Sequence, residues 1–326
     1  MRKLIALTLP AAALLCAPPL MMQAQAGRGH LLLVVSPNVL HIFKAEGGTL
    51  TPAATVPIGT RDREVCISAD GNRAYATNDA EATITIVDLD TLNEAGKIEL
   101  GPELKRPDGC ATSPDSKKLY VASMEANKVA VIELETKKVV HQIEVGLEPR
   151  RIVFTPDKRS YLVSSEDGNS ITVVDAESDE ITGTMKSGGA GPRTMLFLPD
   201  NQTMLVTNVN DDSLSFFKWP YDHPYMTIGA GGSPQRIAIS PDGNSAYVLA
   251  VLEEKISIVD LKGPHVRAKK FMPVGHAPWG MTVSGDHRFL FVGSTRDNTV
   301  VAYDTATMKP VGQVSVTSPR GVEWRE

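Results

Sequence analysis

Gly232-Ser-Pro-Gln-Arg-Ile-Ala-Ile-Ser-Pro-Asp-Gly243 is the clearest copy of a motif that recurs along the whole chain. Each copy has a glycine-containing turn, a short apolar run and a second turn that contains an aspartate, and a β-branched run follows. The aspartates are separated by 45, 42, 43, 42 and 44 residues, and they are Asp70, Asp115, Asp157, Asp200, Asp242 and Asp286. A period of about 40 residues with several short strands per unit is typical of a β-propeller.

Each repeat contains four strand-like segments, which predicts four-stranded blades. The C-terminal segment 318–324 supplies a first strand alone, whereas residues 31–58 supply strands two to four. Together these ends complete a seventh blade and leave no open sheet edge at the seam. The expected fold is therefore all-β, a seven-bladed propeller that is closed by the C-terminal strand joining the N-terminal strands.

The N-terminus has the features of an export signal. Arg2 and Lys3 precede the apolar run 4–15, and Ala24-Gln25-Ala26 is a small-residue cleavage site. We expect residues 1–26 to be removed and residues 27–326 to form a single propeller domain, periplasmic or secreted and without a membrane anchor.

The charge of the chain is moderately acidic, with a formal net value of −5. Removal of two positive charges with the signal would make it −7. This balance does not favour nucleic acid as a partner, although it does not exclude it. We expect a monomer that binds an anionic small molecule or a protein.

Two cysteines remain after residue 26, Cys66 and Cys110. They fall four and five residues before the turn aspartates of consecutive repeats, so they face opposite sides of their strands. Neighbouring blades pack face to face, which allows a disulfide between them. Two buried free thiols are the alternative.

The repeat resembles the YVTN-type β-propeller repeat of exported bacterial and archaeal proteins, with Tyr75-Ala-Thr-Asn78 and Leu205-Val-Thr-Asn208 nearest to the name-giving tetrad. The resemblance covers nearly all of residues 27–326. The resemblance implies one of several roles: binding a ligand or a nucleic acid, forming part of a surface layer, or serving as a subunit beside a periplasmic quinone or haem dehydrogenase. Related lactonase-type propellers, by resemblance, are enzymes.

Arginine is concentrated in the turns that enter the first strand of each blade. These turns hold 41 residues and eight of the 16 arginines, against about two for an even distribution. Arginine favours planar, bidentate capture of carboxylate or phosphate. The eight are Arg61, Arg63, Arg106, Arg150, Arg151, Arg193, Arg236 and Arg320.

The residue after the turn proline is expected to line one mouth of the central channel. Around the ring, that residue is Glu64 (by alignment), Asp108, Arg150, Arg193, Gln235, Trp279 and Arg320. We predict a ligand site here, to which Arg61, Arg63, Arg106 and His276 also contribute. The alternative is a set of ion pairs between blades, with Trp279 as a plug.

No metal or cofactor is predicted. The seven histidines lack the spacing of a zinc site, and there is no haem-attachment, phosphate-loop or nucleophile-elbow motif.

The leading interpretation of the sequence is a non-catalytic propeller that binds an anionic ligand or a protein at the Arg/Trp mouth. One alternative is a lactonase-type hydrolase with His276 or Glu64 as the base. Another is an accessory subunit of a quinone or haem dehydrogenase that docks through Trp219, Tyr221 and Tyr225. A single-stranded nucleic-acid binder is the last alternative.

Overall fold

The computed structural model describes residues 29–262 and 266–326, and the regular elements in these ranges are 28 β-strands. The signal peptide predicted for residues 1–26 lies outside the described residues. In chain order the strands are β1 (Leu31–Ser36), β2 (Val39–Glu46), β3 (Thr49–Pro57), β4 (Asp62–Ile67), β5 (Arg73–Asn78), β6 (Thr83–Asp88), β7 (Asn93–Glu99), β8 (Pro107–Thr112), β9 (Lys118–Ser123), β10 (Lys128–Glu133), β11 (Lys138–Glu144), β12 (Pro149–Phe154), β13 (Ser160–Ser165), β14 (Ser170–Asp175), β15 (Ile181–Lys186), β16 (Pro192–Phe197), β17 (Thr203–Asn208), β18 (Ser213–Lys218), β19 (Pro224–Gly229), β20 (Pro234–Ile239), β21 (Ser245–Ala250), β22 (Lys255–Asp260), β23 (Arg267–Pro273), β24 (Pro278–Val283), β25 (Phe289–Ser294), β26 (Thr299–Asp304), β27 (Lys309–Ser315) and β28 (Val322–Arg325).

The strands form seven four-stranded antiparallel sheets, which confirms the predicted seven-bladed propeller. Blade 1 has the order β28-β1-β2-β3, and blades 2 to 7 each contain four consecutive strands from β4 onward. The first strand of every blade contacts the first strands of both neighbouring blades, so these seven strands form the innermost ring. No helix in the described ranges is long and apolar enough to span a bilayer.

Ring closure depends on the last residues of the chain. Strand β28 pairs with β1 in the register Leu31↔Arg325 and Val34↔Val322. The Arg325 guanidinium donates to the carbonyl oxygens of Gly71 (3.0 Å) and Gly29 (3.1 Å) and also pairs with an aspartate of blade 2. Arg325 is only 4% exposed, so it fastens the C-terminus to both the N-terminal segment and the next blade.

The hydrophobic core is divided into seven clusters, one between each pair of adjacent blades. Between blades 3 and 4, for example, the ring centroids of Tyr120 and Tyr161 lie 4.6 Å apart. Middle strands are buried on both faces because each sheet packs against two others. All six residues of β1 are buried, which explains the run of five apolar residues that precedes Ser36.

The turn after each first strand is held by its own side chains. In blade 2 the Ser68 hydroxyl donates to Asp70 (2.6 Å) and accepts from the Arg73 amide (2.9 Å). The Asp70 carboxylate also accepts from the Asn72 amide (3.0 Å). Equivalent bonds of Ser240 and of the following backbone lower the pKa of Asp242 to about 2. The first residue of this turn, Ser68 in blade 2 and Ser240 in blade 6, can therefore be used to align the first strands of different blades.

A disulfide joins Cys66 of β4 to Cys110 of β8, with the Cα atoms 5.8 Å apart. It links the innermost strands of blades 2 and 3. Of the two alternatives left open by the sequence, the structure contains the inter-blade bond.

Candidate functional site

A pocket of about 150 Å³ opens at the channel mouth, on the face that carries the turns entering the first strands. It combines arginines, two carboxylates and one indole in a small volume. Its lining residues are Arg63, Glu64, Asp108, Arg193, Arg236, Trp279, Thr295, Ser318 and Arg320. Six of them belong to the site predicted from sequence, namely Arg63, Glu64, Asp108, Arg193, Trp279 and Arg320.

Hydrogen bonding shows that all of these lining residues except Thr295 and Ser318 come from two successive rings of residues near the start of the first strands. The backbone amides of Ser68 and Ser113 each donate a hydrogen bond to the carbonyl oxygen at the far end of their own turn, so these two serines are equivalent. Arg63 and Asp108 each lie five residues before that reference, whereas Glu64 lies four residues before it. The outer ring consists of the residues five positions before this reference. The sequence alignment placed Glu64 in it, but the residue of blade 2 in the outer ring is Arg63, and Glu64 lies one position further along its strand.

The second ring, one residue further along each first strand, is mostly small. It holds Glu64, Gly109, Arg151, Thr194, Arg236, Gly280 and Gly321. The glycines allow close approach: a Cβ on Gly109 would lie 2.1 Å from the Arg150 carbonyl oxygen, and one on Gly280 would lie 2.3 Å from that of Arg320. Arg236 lines the pocket from this ring, although it was not included in the predicted site.

Glu64 is held by two arginines from other blades. Its Oε2 is 2.6 Å from the Arg151 guanidinium, and its Oε1 contacts the Arg236 guanidinium. Burial alone would lower the pKa of Arg151, but the charge of Glu64 raises it above its ordinary value. Both carboxylate oxygens of Glu64 are thus occupied, and this residue is not free to act as a base.

Arg150 does not line the pocket, and its guanidinium is surrounded by carboxylates. Its guanidinium nitrogens lie 3.2 Å from Asp108, 2.9 Å from Glu148 and 2.8 Å from Glu166. Burial would lower the pKa of Arg150, and these acids raise it above its ordinary value. Arg106 is also paired, 3.6 Å from Glu148. For Arg150 and Arg106, the ion-pair alternative describes the observed contacts.

Glu148, Glu166 and Asp167 also form a cluster whose oxygens lie within 4.8 Å of one another. Because Glu148 and Glu166 are already bound to Arg150, we assign no metal to this cluster.

Arg63 and Arg193 are paired, yet both still line the pocket. Arg63 Nε is 2.8 Å from Asp79, and the exposed Arg61 is 3.7 Å from the same carboxylate. Arg193 is 3.0 Å from Glu166, and its guanidinium carbon lies 5.8 Å from the centre of the Trp279 ring. Burial lowers the pKa of Arg193 below its ordinary value. These contacts fix two cations beside an indole that is 38% exposed.

Arg320 differs from the other mouth arginines. It is exposed, and its guanidinium makes no hydrogen bond or ion pair within residues 29–262 and 266–326. Only its backbone is fixed, because its amide donates to the Val35 carbonyl oxygen at 2.8 Å. Gln235, in contrast, is buried at 7% exposure and does not line the pocket.

His276 lies on the rim and outside the pocket lining. Its Nδ1 is 2.8 Å from Asp297 Oδ1, and its amide donates to Asp297 Oδ2 at 2.7 Å. This hydrogen bond raises the pKa of His276 and lowers that of Asp297. The imidazole is oriented and largely exposed, but the structure does not bring it to the pocket wall.

The three aromatic residues of blade 5 that the docking alternative requires to be exposed differ in their exposure. Trp219 is half-buried and packs edge-on against Phe197 at 6.1 Å. Tyr221 and Tyr225 remain exposed at 64% and 54%.

A larger open groove of about 770 Å³ lies between blades 3 and 4 on the opposite face. Its cations and acids are mixed, and Lys118 is engaged by Asp179 at 2.6 Å. It lacks the concentration of arginines that marks the channel mouth.

Comparison with known proteins gives one family. The model of the family described as "Lactonase, 7-bladed beta-propeller" matches residues 38–187, which is a little less than half of the chain. The chain is similar to lactonase-type propellers. No curated protein sequence matches it significantly.

Solved structures with the same fold share little sequence with the chain. A periplasmic gluconolactonase from Pseudomonas aeruginosa has a TM-score of 0.75 and 16% identity, covering 92% of this chain and 99% of its own. A provisionally assigned 6-phosphogluconolactonase from Bacteroides fragilis has a TM-score of 0.78 and 16% identity, covering 92% and 99%. Hydrazine synthase from Kuenenia stuttgartiensis has a TM-score of 0.71 and 20% identity, covering 80% and 88%.

These comparisons change the functional interpretation. The leading expectation, a non-catalytic binding propeller, is wrong because the matching family model is that of lactonases, and neighbouring folds include gluconolactonases. Arginine enrichment alone could not separate these readings, since an anion-binding site and an ester-hydrolysing site both use fixed cations.

Proposed function

We propose that the protein is a lactonase-type hydrolase whose active site is the pocket at the channel mouth. The observation that carries the proposal is the joint presence in this pocket of fixed arginines, a carboxylate with one unoccupied oxygen and an indole face. The match to the lactonase family model supports the same reaction.

Opening a lactone requires a water molecule to attack the ring carbonyl and an oxyanion to be stabilised as it forms. Arg236 is braced by Glu64, and Arg193 is braced by Glu166. Both therefore present positive charge to the pocket without having to reorganise during the reaction. We assign them to oxyanion stabilisation.

Asp108 is the carboxylate that we assign as the base. Its Oδ2 is 3.2 Å from Arg150, and within the described ranges its Oδ1 has no hydrogen-bond partner. An oxygen free in this way can take a proton from the attacking water. Glu64 has both oxygens bound to arginine, and His276 lies outside the lining, so neither is assigned as the base.

The substrate class follows from Trp279 and Arg320. An indole beside a guanidinium provides a flat surface on which a sugar ring can stack. The guanidinium of Arg320, with no protein partner in the described part of the chain, suits a carboxylate or phosphate on the substrate. We therefore propose a sugar lactone that carries an anionic substituent.

We also propose a cellular location and an oligomeric state for the protein. The predicted signal peptide favours export, and a periplasmic neighbour of the same fold agrees with it. We propose an exported monomer with YVTN-type repeats.

The test is hydrolysis of a panel of neutral, carboxylated and phosphorylated aldonolactones. Hydrolysis is measured as the acid that ring opening releases into a weakly buffered indicator solution. We expect Asp108→Asn to lower kcat about 100-fold or more. Arg320→Ala should raise KM for anionic substrates about tenfold and leave neutral ones unaffected. Arg159→Ala, an exposed arginine on the opposite face, is the matched control. Absence of hydrolysis across the panel would refute the proposal.

A further inference from the structure

The contact between Glu64 and its two arginines crosses the channel. Glu64 lies on β4 of blade 2, Arg151 on β12 of blade 4 and Arg236 on β20 of blade 6. The three blades alternate around the ring, so the two ion pairs bridge separate parts of the channel wall. We call Arg151, Glu64 and Arg236 the channel bridge.

The bridge is well shielded from water. The side chains of Glu64, Arg151 and Arg236 are 7%, 18% and 15% exposed. Three charges at such a depth are costly to desolvate, and apolar residues of similar size often do as well or better for stability. Stability is therefore a weak explanation for the bridge.

The other blades show that the ring closes without charge at this position. The equivalent residues are Gly109, Thr194, Gly280 and Gly321. Four of seven blades thus use small residues where blades 2, 4 and 6 use the bridge. The charges must serve something other than the packing of first strands.

The lining of the pocket indicates the role of these three charged residues. Glu64 and Arg236 line it, whereas Arg151 does not. Glu64 consequently lies between a pocket arginine and an arginine deeper in the wall. An arginine held by a buried carboxylate keeps one orientation, which a free side chain on a flexible stem would lose.

We propose that Glu64 is a positioning residue: with Arg151 as its anchor, it holds the Arg236 guanidinium against the pocket and closes the pocket floor. The expected effect of Glu64 on kcat rests on the proposed function, whereas its expected effect on the position of Arg236 does not. Substrate and product would then use the same mouth, because Glu64 and Arg236, which line the pocket, belong to the ion pairs that cross the channel.

The structural arm of the test is arginine modification by phenylglyoxal, mapped by peptide mass spectrometry without any substrate. In the wild-type protein Arg151 and Arg236 should react slowly and Arg320 quickly. Glu64→Gln should speed modification of Arg236 several-fold and leave Arg320 unchanged. Glu177→Gln, at an exposed acid on the opposite face, is the matched control.

The kinetic arm compares kcat and KM for a lactone that the wild-type protein hydrolyses. Glu64→Gln should lower kcat about 10- to 100-fold with KM within about twofold, because Arg236 is displaced by about an ångström or more. Glu64→Asp, which keeps the charge on a shorter stem, should recover part of the loss.

A second variant covers the case in which Glu64→Gln does not fold. Glu64→Leu with Arg151→Leu removes two of the three buried charges and leaves the Arg236 guanidinium without its carboxylate partner. We expect it to fold, to expose Arg236 to modification and to lose kcat. Unchanged Arg236 reactivity in the folded variants would overturn the bridge, as would wild-type kcat. A wild-type protein that hydrolyses no lactone would refute the proposed function alone, since the modification pattern is read independently.

Discussion

Glu323→Gln should make the pH dependence of stability visibly flatter. Glu323 is half-buried on β28, two residues along the first strand from Gly321, and the charged groups that act on it are Glu64 and Arg151. Burial, followed by repulsion from Glu64, raises the pKa of Glu323 from 4.5 to about 7. At a pH between 4.5 and about 7, Glu323 is therefore protonated in the folded protein and ionised in the unfolded chain.

The sign and size follow from this difference. Because the folded state binds more protons, the free energy of unfolding of the wild-type protein falls as pH rises from about 4.5 to about 7. A difference of about 2.5 pKa units corresponds to about 3 kcal/mol at most. Glutamine is neutral throughout, so the variant should equal the wild-type protein near pH 4 and exceed it by up to about 3 kcal/mol at pH 8. In a chain of this length that is a Tm difference of about 5 °C.

The assay is denaturant unfolding of both proteins at pH 4, 5, 6, 7 and 8, with a thermal scan at each pH. Glu177→Gln, on the opposite face, should track the wild-type protein at every pH. The reasoning is refuted if the difference between Glu323→Gln and wild type is independent of pH or shrinks toward pH 8.

Three further changes test the fold. Arg325→Ala removes the buried guanidinium that fastens the closing blade, so urea titration should show a loss of about 3 kcal/mol, and a wild-type midpoint would contradict the clasp. Gly109→Ala places a methyl against a carbonyl oxygen of the next blade and should cost about 2 kcal/mol in the same titration, while Gly183→Ala, with no atom within 4 Å of its added Cβ, should not. Cys66→Ser with Cys110→Ser opens a link across 44 residues of chain, so calorimetry should register a loss of about 4 kcal/mol, and an unchanged Tm would contradict a stabilising role of the disulfide.

The fold could be predicted from the sequence because each blade repeats its own local chemistry. The regularly spaced turn aspartates, such as Asp70 and Asp242, accept hydrogen bonds from residues two positions away, so the signal is entirely local. Ring closure was also predictable, because the two chain ends were complementary fragments of one blade. The one long-range contact in the prediction, between the two chain ends, followed from the repeat itself, since each end lacked the strands that the other supplied.

The site was predictable only as a region. The turn entering blade 2 lacks the proline that marks the other turns, so Glu64 was placed one residue out of register. Its partners lie 87 and 172 residues away on blades that do not adjoin its own. The composition of the turns could identify a mouth rich in arginine, but it could not assign an individual guanidinium to a carboxylate or to the pocket.

The arginine excess at the mouth therefore has two explanations that operate together. Arg150 is paired with carboxylates and does not line the pocket, while Arg193 and Arg236 are paired and still line it. Pairing does not disqualify the latter two, since a cation fixed before the reaction stabilises a developing oxyanion without reorganisation. Arg320, with no protein partner in residues 29–262 and 266–326, is suited to the complementary task of binding a substrate anion that arrives from solvent. In the proposed hydrolase, such a mouth would place fixed positive charge beside the ester bond and the exposed charge of Arg320 where an anionic substrate first binds.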